Sequence, residues 1–357
     1  MQRQYNHDRR AFLIKDGEDE FATIPFPFTD TNGAGNVFDE RNVANYSFSI
    51  YYKSNVAELD YHLVKVNTGA GGGAPCRLGW MIPLATLTTE DAGVLAVPYL
   101  NEFVFWAYCY LLEQDDIQNG FNDEEASFGD ILDSKYPDGC LLIIEKAQRP
   151  AGKVEKHYEL SLARNGYFKV ASNYQNPKIA LGRNNDLILS PAGEIFDAVQ
   201  ERYMNPYIEE FLSQHVYNPN SFIRFFFLYQ IVEVLLDAEM VELLRDFANK
   251  IENNQTTYRT ADKALQKNTE SERFKRVVSH SGLVTANYAD LDNACNGFTG
   301  LVNIDNPESI YQVRNHIVHR FRKAVADEVS VKEICDHLEL YLYDLLILYK
   351  KPDVNAA

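Results

Sequence analysis

The hydrophobic period of this chain changes once along its length, and that change limits the folds open to it. From about Ala11 to Arg183 apolar residues alternate as on a strand, whereas after Ser190-Pro191 they recur three and four apart, as on a helix. The two patterns bury different faces, so the chain is expected to be α+β with two domains: a β-rich domain over residues 1–190, a connecting helix over 191–205 and an all-α domain over 206–357. The length agrees, because 357 residues exceed what one hydrophobic core usually serves.

In the first half, strands are predicted at Phe21–Phe26, Tyr46–Tyr52, Leu59–Val66 and Leu141–Glu145, with one helix around Glu102–Glu113. His157–Arg164 and Tyr167–Ala171 also alternate, on either side of Asn165-Gly166. Both turn residues tolerate positive φ, so a hairpin is expected there. In the second half, Pro191 suits the first turn of a connecting helix reaching Met204. Phe222, Phe226, Tyr229, Leu236, Met240, Leu243 and Phe247 form the stripe of a long amphipathic helix. Further helices are expected at Thr260–Ser279, Ile310–Ala326 and Val331–Lys350, the last with Ile334, Leu338, Tyr341, Leu345 and Leu348 turned inward. Four principal helices of this kind pack as antiparallel neighbours in a four-helix bundle.

Charge narrows the function. Thirty-four Lys plus Arg against 51 Asp plus Glu leave a formal net charge of −17, which disfavours sequence-blind coating of nucleic acid or of anionic membranes. A nucleic-acid ligand would need a local basic site. The longest apolar runs fall far short of a bilayer span, and Met1–Arg10 is polar where a signal peptide is apolar, so a cytoplasmic chain without membrane contact is expected. Cys76, Cys109, Cys140, Cys295 and Cys335 are scattered without a C-x-x-C pair and read as reduced structural thiols.

Several patterns are set aside. Gly69–Gly73 has no Lys-Ser or Lys-Thr after it and reads as a loop rather than a phosphate cradle. Pro137-Asp138 with Glu145-Lys146 resembles a metal-dependent nuclease arrangement, but adjacent Glu145 and Lys146 emerge on opposite faces of a strand. Asp123–Glu125 reads as a solvated loop, and His7, His62, His157 and His280 show no metal-ligand spacing. No cofactor and no metal are expected.

The helix starting near Ile310 reads IYQVRNHIVHRFRK. With Ile317 as zero and 100° per residue, Ile310, Val313 and Phe321 fall within about 40° of it, while Asn315 and His319 lie at about 160° and about 200°. Asn315 and His319 are thus one turn apart and almost opposite the core. Tyr311 and Arg322 flank them, and Arg314 sits on the shoulder. From Ile310 to Ala326 the chain carries Arg314, Arg320, Arg322 and Lys323 and no acid. Two readings stay open on these residues alone: a phosphate or RNA contact, or a solvated polar stripe.

Arg314-Asn315-x-x-x-His319 matches the R-N-x-x-x-H form of the R-x4-6-H motif, and its place in the third of four helices resembles the HEPN superfamily of RNases. The wider phrase Tyr311-x-x-Arg314-Asn315-x-x-Val318-His319 is similar to the ApeA-like branch of bacterial anti-phage proteins. The resemblance covers about residues 206–350. It implies a metal-independent endoribonuclease acting as a homodimer through the motif helix, cutting RNA such as tRNA by 2′-OH attack to leave cyclic phosphate and 5′-OH ends. Catalytic roles would fall to Arg314, Asn315 and His319, RNA contacts to Tyr311, Arg320, Arg322 and Lys323, and a supporting acidic role to Glu233. The implied setting is anti-phage defence or toxin-like growth arrest, with residues 1–190 sensing a phage or cellular trigger or an antitoxin-like partner. The competing expectation is a catalytically silent HEPN-like module that binds nucleotide or RNA, or bridges proteins.

Overall fold

The computed structural model describes residues 2–6, 11–16, 19–25, 45–53, 62–67, 74–87, 138–153, 155–168, 186–191, 219–324 and 327–349, with the backbone alone described for 2–25 and 321–324. The chain divides into two compact units: Met1–Ala151 with Lys169–Ile188, and Gly152–Phe168 with Leu189–Ala357. Expectations at Glu102–Glu113, the connecting helix beyond Pro191, Phe26, Leu59–Tyr61 and Cys109 lie outside the described residues.

The first unit holds two sheets. Strands β1 (Gln2–Asn6), β2 (Ala11–Asp16) and β3 (Asp19–Pro25) form an antiparallel meander, with a register shift between Ile14 and Lys15. Only the last was foreseen, since Gln2–Asn6 carries no apolar alternation. A five-stranded sheet contains β4 (Tyr46–Tyr52), β5 (His62–Val66), β6 (Cys76–Pro83), β7 (Gly139–Glu145) and β8 (Leu187–Leu189), in the order β4-β7-β6-β5-β8. The pairs β4–β7, β6–β7 and β5–β6 are antiparallel.

Sequence pattern explains the strand order. β7 reads GCLLIIE and is buried from Gly139 to Ile144, as a strand covered on both faces must be. β5 alternates, burying His62, Val64 and Val66 while Leu63 and Lys65 are half-buried. Lys65 Nζ meets Asp186 at 2.5 Å, just ahead of β8. Gly79 stands opposite Ile144, and a Cβ there would lie 1.8 Å from the Ile143 carbonyl oxygen, so only glycine lets β6 approach β7 this closely.

The second unit is helical: α1 (Glu159–Arg164), α2 (Ser221–Glu252), α3 (Tyr258–Gln266), α4 (Glu270–Ser281), α5 (Ala289–Thr299), α6 (Glu308–Ala324) and α7 (Glu328–Leu348). The expected hairpin at His157–Ala171 is corrected. Glu155–Arg164 is helical, with Leu160, Leu162 and Ala163 buried, and Asn165-Gly166 ends the helix rather than turning a hairpin. Gly166 has φ 83°, and Gly166 and Tyr167 donate their N–H groups to Ala163 O and Leu162 O, which is the Schellman closure of a helix end. A second correction falls on Thr260–Ser279. It is two helices, because Thr269 accepts a hydrogen bond from the Glu272 N–H at 3.2 Å and so starts α4 afresh. α5 was not foreseen.

α7 is the hub, packing against α1, α2, α4 and α5. Its Val331, Ile334, Leu338, Tyr341, Leu342, Leu345 and Leu346 are all buried. α2 begins with Asn220, whose side chain accepts from the N–H groups of Phe222 and Ile223, and it lays Phe225, Leu228, Val232 and Leu235 in the core. The buried Arg224 of α2 donates to Asp336 at 2.6 Å and to Glu339, which locks α2 to α7. Among the described residues no helix is long and apolar enough to cross a membrane.

Two outcomes follow. Gly79→Ala should cost about 3 kcal/mol or more through overpacking, measured by denaturant unfolding. Burial, then the hydrogen bond to Asp344, pushes the Tyr288 phenol well above its ordinary 10.0, and burial does the same to Tyr341. Above that pH the unfolded chain loses phenolic protons that the folded chain keeps, so stability present below pH 10.0 is lost as the pH rises further. Urea midpoints measured from about pH 9 to about pH 11 should fall, and fall less steeply in Tyr288→Phe.

Candidate functional site

α6 is held at its start by a buried carboxylate. Asp292 of α5 accepts from Ser309 Oγ at 2.6 Å, in the first turn, and from Asn306 Nδ2 at 3.0 Å, just ahead of it. Burial raises the Asp292 pKa and these hydrogen bonds oppose the rise. Glu308, in the first turn, accepts from Ser271 Oγ of α4 and from Gln312 Nε2 at 2.8 Å. The α5 side of α6 is then filled by apolar and ring contacts, including His316 with its ring 5.1 Å from that of Phe298.

This anchoring fixes which stripe is left outward. Ile310, Val313 and Ile317 are fully buried, as the wheel requires, while Val318, His319 and Arg320 are exposed and Tyr311, Arg314 and Asn315 are half-buried. The wheel holds only through His319. Arg320 has φ −130° and ψ 33°, which breaks helical geometry there, so the angular positions expected for Phe321 and Arg322 do not carry over. The side chains of Phe321, Arg322 and Lys323 lie outside the described residues.

Arg314 and Asn315 are brought together. Arg314 Nη1 donates to Asn315 Oδ1 at 3.3 Å, and the guanidinium carbon stands 6.0 Å from the centroid of the Tyr229 ring, at the outer edge of cation–π distance. Arg77, Arg164, Arg224, Arg245 and Arg276 each meet a carboxylate. No such ion pair reaches Arg314 among the described residues. Glu233, expected as a supporting acid, is exposed and pairs with no cation among the described residues, Arg314 included. His319 likewise makes no hydrogen bond among the described residues. It lies one helical turn beyond Asn315, with its ring toward solvent.

Tyr229 was read from sequence as one more residue of the α2 core stripe. It is buried, it stacks on Phe225 with ring centroids 6.0 Å apart, and its hydroxyl donates to Glu270 Oε1 of α4 at 2.7 Å. Burial and that hydrogen bond push its phenol well above the ordinary value. No sequence spacing links Tyr229, Glu270 and Arg314, which sit on three different helices.

The arrangement offers a half-buried oriented cation and amide with an exposed histidine one turn beyond, suited to gripping an anion and moving a proton. The discounted acids of the β-rich unit do not converge, since Asp138 and Glu145 sit at opposite ends of β7, about 20 Å apart at strand rise. Glu145 is instead paired with Arg77 at 3.1 Å. Among the described residues no group of three or more His, Cys, Asp and Glu is placed to hold a metal ion, and Cys76, Cys140, Cys295 and Cys335 form no disulfide. Comparison with known proteins returns no matching family model, no matching curated protein and no matching solved structure.

Asp292→Ala should leave Ser309 and Asn306 without their acceptor and lower stability by about 2 kcal/mol or more, read by thermal unfolding.

Proposed function

We propose that the helical unit is a HEPN-like four-helix bundle and a metal-independent endoribonuclease that works as a homodimer. The observation that supports this most is the state of Arg314: it is oriented beside Asn315 and over Tyr229, yet no carboxylate among the described residues neutralises it. An arginine held in place with its charge unspent is suited to a phosphate, whose two oxygens match the guanidinium fork. His319, one turn away and exposed, is suited to exchange a proton with a ribose hydroxyl.

The reaction is intramolecular. The 2′-oxygen attacks the adjacent phosphorus as its proton passes to a histidine, the bond from phosphorus to the 5′-oxygen breaks, and the departing oxygen takes a proton from a second acid. Cyclic phosphate and 5′-OH ends result. A lone outward stripe provides one histidine in an open, wet site. Two copies meeting across a two-fold axis would bring two sets of Arg314, Asn315 and His319 to one groove, with one histidine as base and the other as acid. Arg314 would bear the charge developing on the phosphate, and Asn315, already bonded to Arg314, would keep the fork aimed. Arg320, exposed at the helix break, together with Arg322, Lys323 and Tyr311, would follow the RNA backbone. The β-rich unit would sense a phage or cellular trigger, or a restraining partner, in defence or growth arrest.

The test is incubation of the purified chain with total tRNA in EDTA, followed by end-group analysis. Wild type should leave cyclic phosphate and 5′-OH ends, and His319→Ala should cut about 100-fold to 10,000-fold more slowly. Arg314→Ala should lose about 100-fold or more. Equal cutting by wild type and His319→Ala would remove His319 from the mechanism, and binding of RNA without cutting would favour the silent module.

A further inference from the structure

We propose that Tyr229 is a positioning residue for this site: its ring is a seat that holds the Arg314 guanidinium in register without neutralising it, and Glu270 keeps the seat in place through the tyrosine hydroxyl. The inference rests on the ribonuclease reading.

A phosphate-gripping arginine faces two opposed demands. Left free, it gives up much of its rotamer entropy each time it catches an anion. Tethered to a carboxylate, as Arg224 is to Asp336, it is ordered in advance but must surrender that partner to the phosphate. An aromatic face meets both demands, because it attracts the cation through its quadrupole and carries no net charge. At 6.0 Å from the guanidinium carbon, the Tyr229 ring is placed to do this.

The ring is itself immobilised on three sides. Tyr229 is buried, Phe225 stacks on it with an interplanar angle of 20°, and its hydroxyl donates to Glu270 at 2.7 Å. A phenol that donates to a carboxylate also gains electron density, which strengthens its hold on a cation. Glu270 lies in the first turn of α4, where the helix dipole favours its negative charge. Glu270 therefore acts on Arg314 at one remove. Its charge meets the tyrosine hydroxyl and leaves the guanidinium unpaired. Asn315 adds a second contact, accepting from Arg314 Nη1 at 3.3 Å.

The experiment uses the full chain in two measurements. In the first, NMR of labelled arginine side chains follows Arg314, assigned from its loss in Arg314→Ala. Ring current from Tyr229 should displace its δ-proton and Nε–H signals, the displacement should vanish in Tyr229→Leu, and Tyr229→Phe, which keeps the ring but loses its tether to Glu270, should restore it in part. In the second, tRNA cleavage is measured in a double-mutant cycle. Tyr229→Leu should lower kcat by about tenfold with KM changed less than about twofold, and should cost almost nothing further in an Arg314→Ala background. Tyr229→Phe should bring kcat back to within about threefold of wild type, since the ring is what touches the cation. Should Tyr229→Leu not fold, Glu270→Ala reads the same seat: an orphaned hydroxyl pulls the ring out of place and shrinks the Arg314 displacement. An unchanged Arg314 signal in either variant overturns the proposal, as does an equal loss of rate with and without Arg314. A wild type that cuts no RNA overturns the ribonuclease reading, and the NMR result alone then decides whether Tyr229 holds Arg314.

Discussion

The helical unit depends on how much of α7 must leave water. Tyr341, Leu342, Tyr343, Leu345 and Leu346 are all buried, and at 100° per residue they cover more than half of the helix circumference. A helix apolar over so wide an arc is stable only when surrounded. α1, α2, α4 and α5 surround it. α6 has the opposite character, with a narrow stripe of Ile310, Val313 and Ile317, and is satisfied by packing on α5 with a smaller contact to α4. The motif helix is therefore peripheral because its apolar face is too narrow for any other place, and its polar stripe stays outward.

Several of the buried charges inside this unit are paired across helices. Arg224 meets Asp336 and Glu339, and Tyr343 gives Glu339 a further donor at 3.1 Å. Glu239, almost fully buried, has His280 Nδ1 at 2.5 Å and accepts from the Tyr349 hydroxyl at 3.2 Å, joining α2, α4 and the residue that follows α7. Asp344 receives Arg164 at 2.9 Å and Tyr288 at 2.6 Å. Each of these carboxylates would be costly to bury alone. Arg314, beside Asn315 and near the Tyr229 ring, meets no carboxylate among the described residues.

Local patterns were legible where one element's own periodicity decided the outcome. The long helix through Phe222–Phe247, the helix at Ile310 and the last helix all form, as do the strands at Tyr46–Tyr52 and Leu141–Glu145. Asn165-Gly166 misled because a hairpin turn and a helix end both want a residue at positive φ. What decided between them was Leu160, Leu162 and Ala163, which are buried in a short helix on α7. Thr260–Ser279 looked continuous because composition does not reveal a break. The cap made by Thr269 does, and a T-x-x-E spacing at Thr269–Glu272 was there to suggest it.

By itself the sequence determined that strands give way to a long helical stretch, though not that Glu155–Arg164 is helical too, and the outward face of the motif stripe, since these are set by spacing within one segment and by the preference of apolar side chains for the core. Tertiary structure alone decided that Tyr229 meets Arg314, that Glu270 holds Tyr229 and that Asp292 anchors α6. These contacts join helices far apart along the chain, and their geometry exists only once α2, α4 and α5 have packed around the same core.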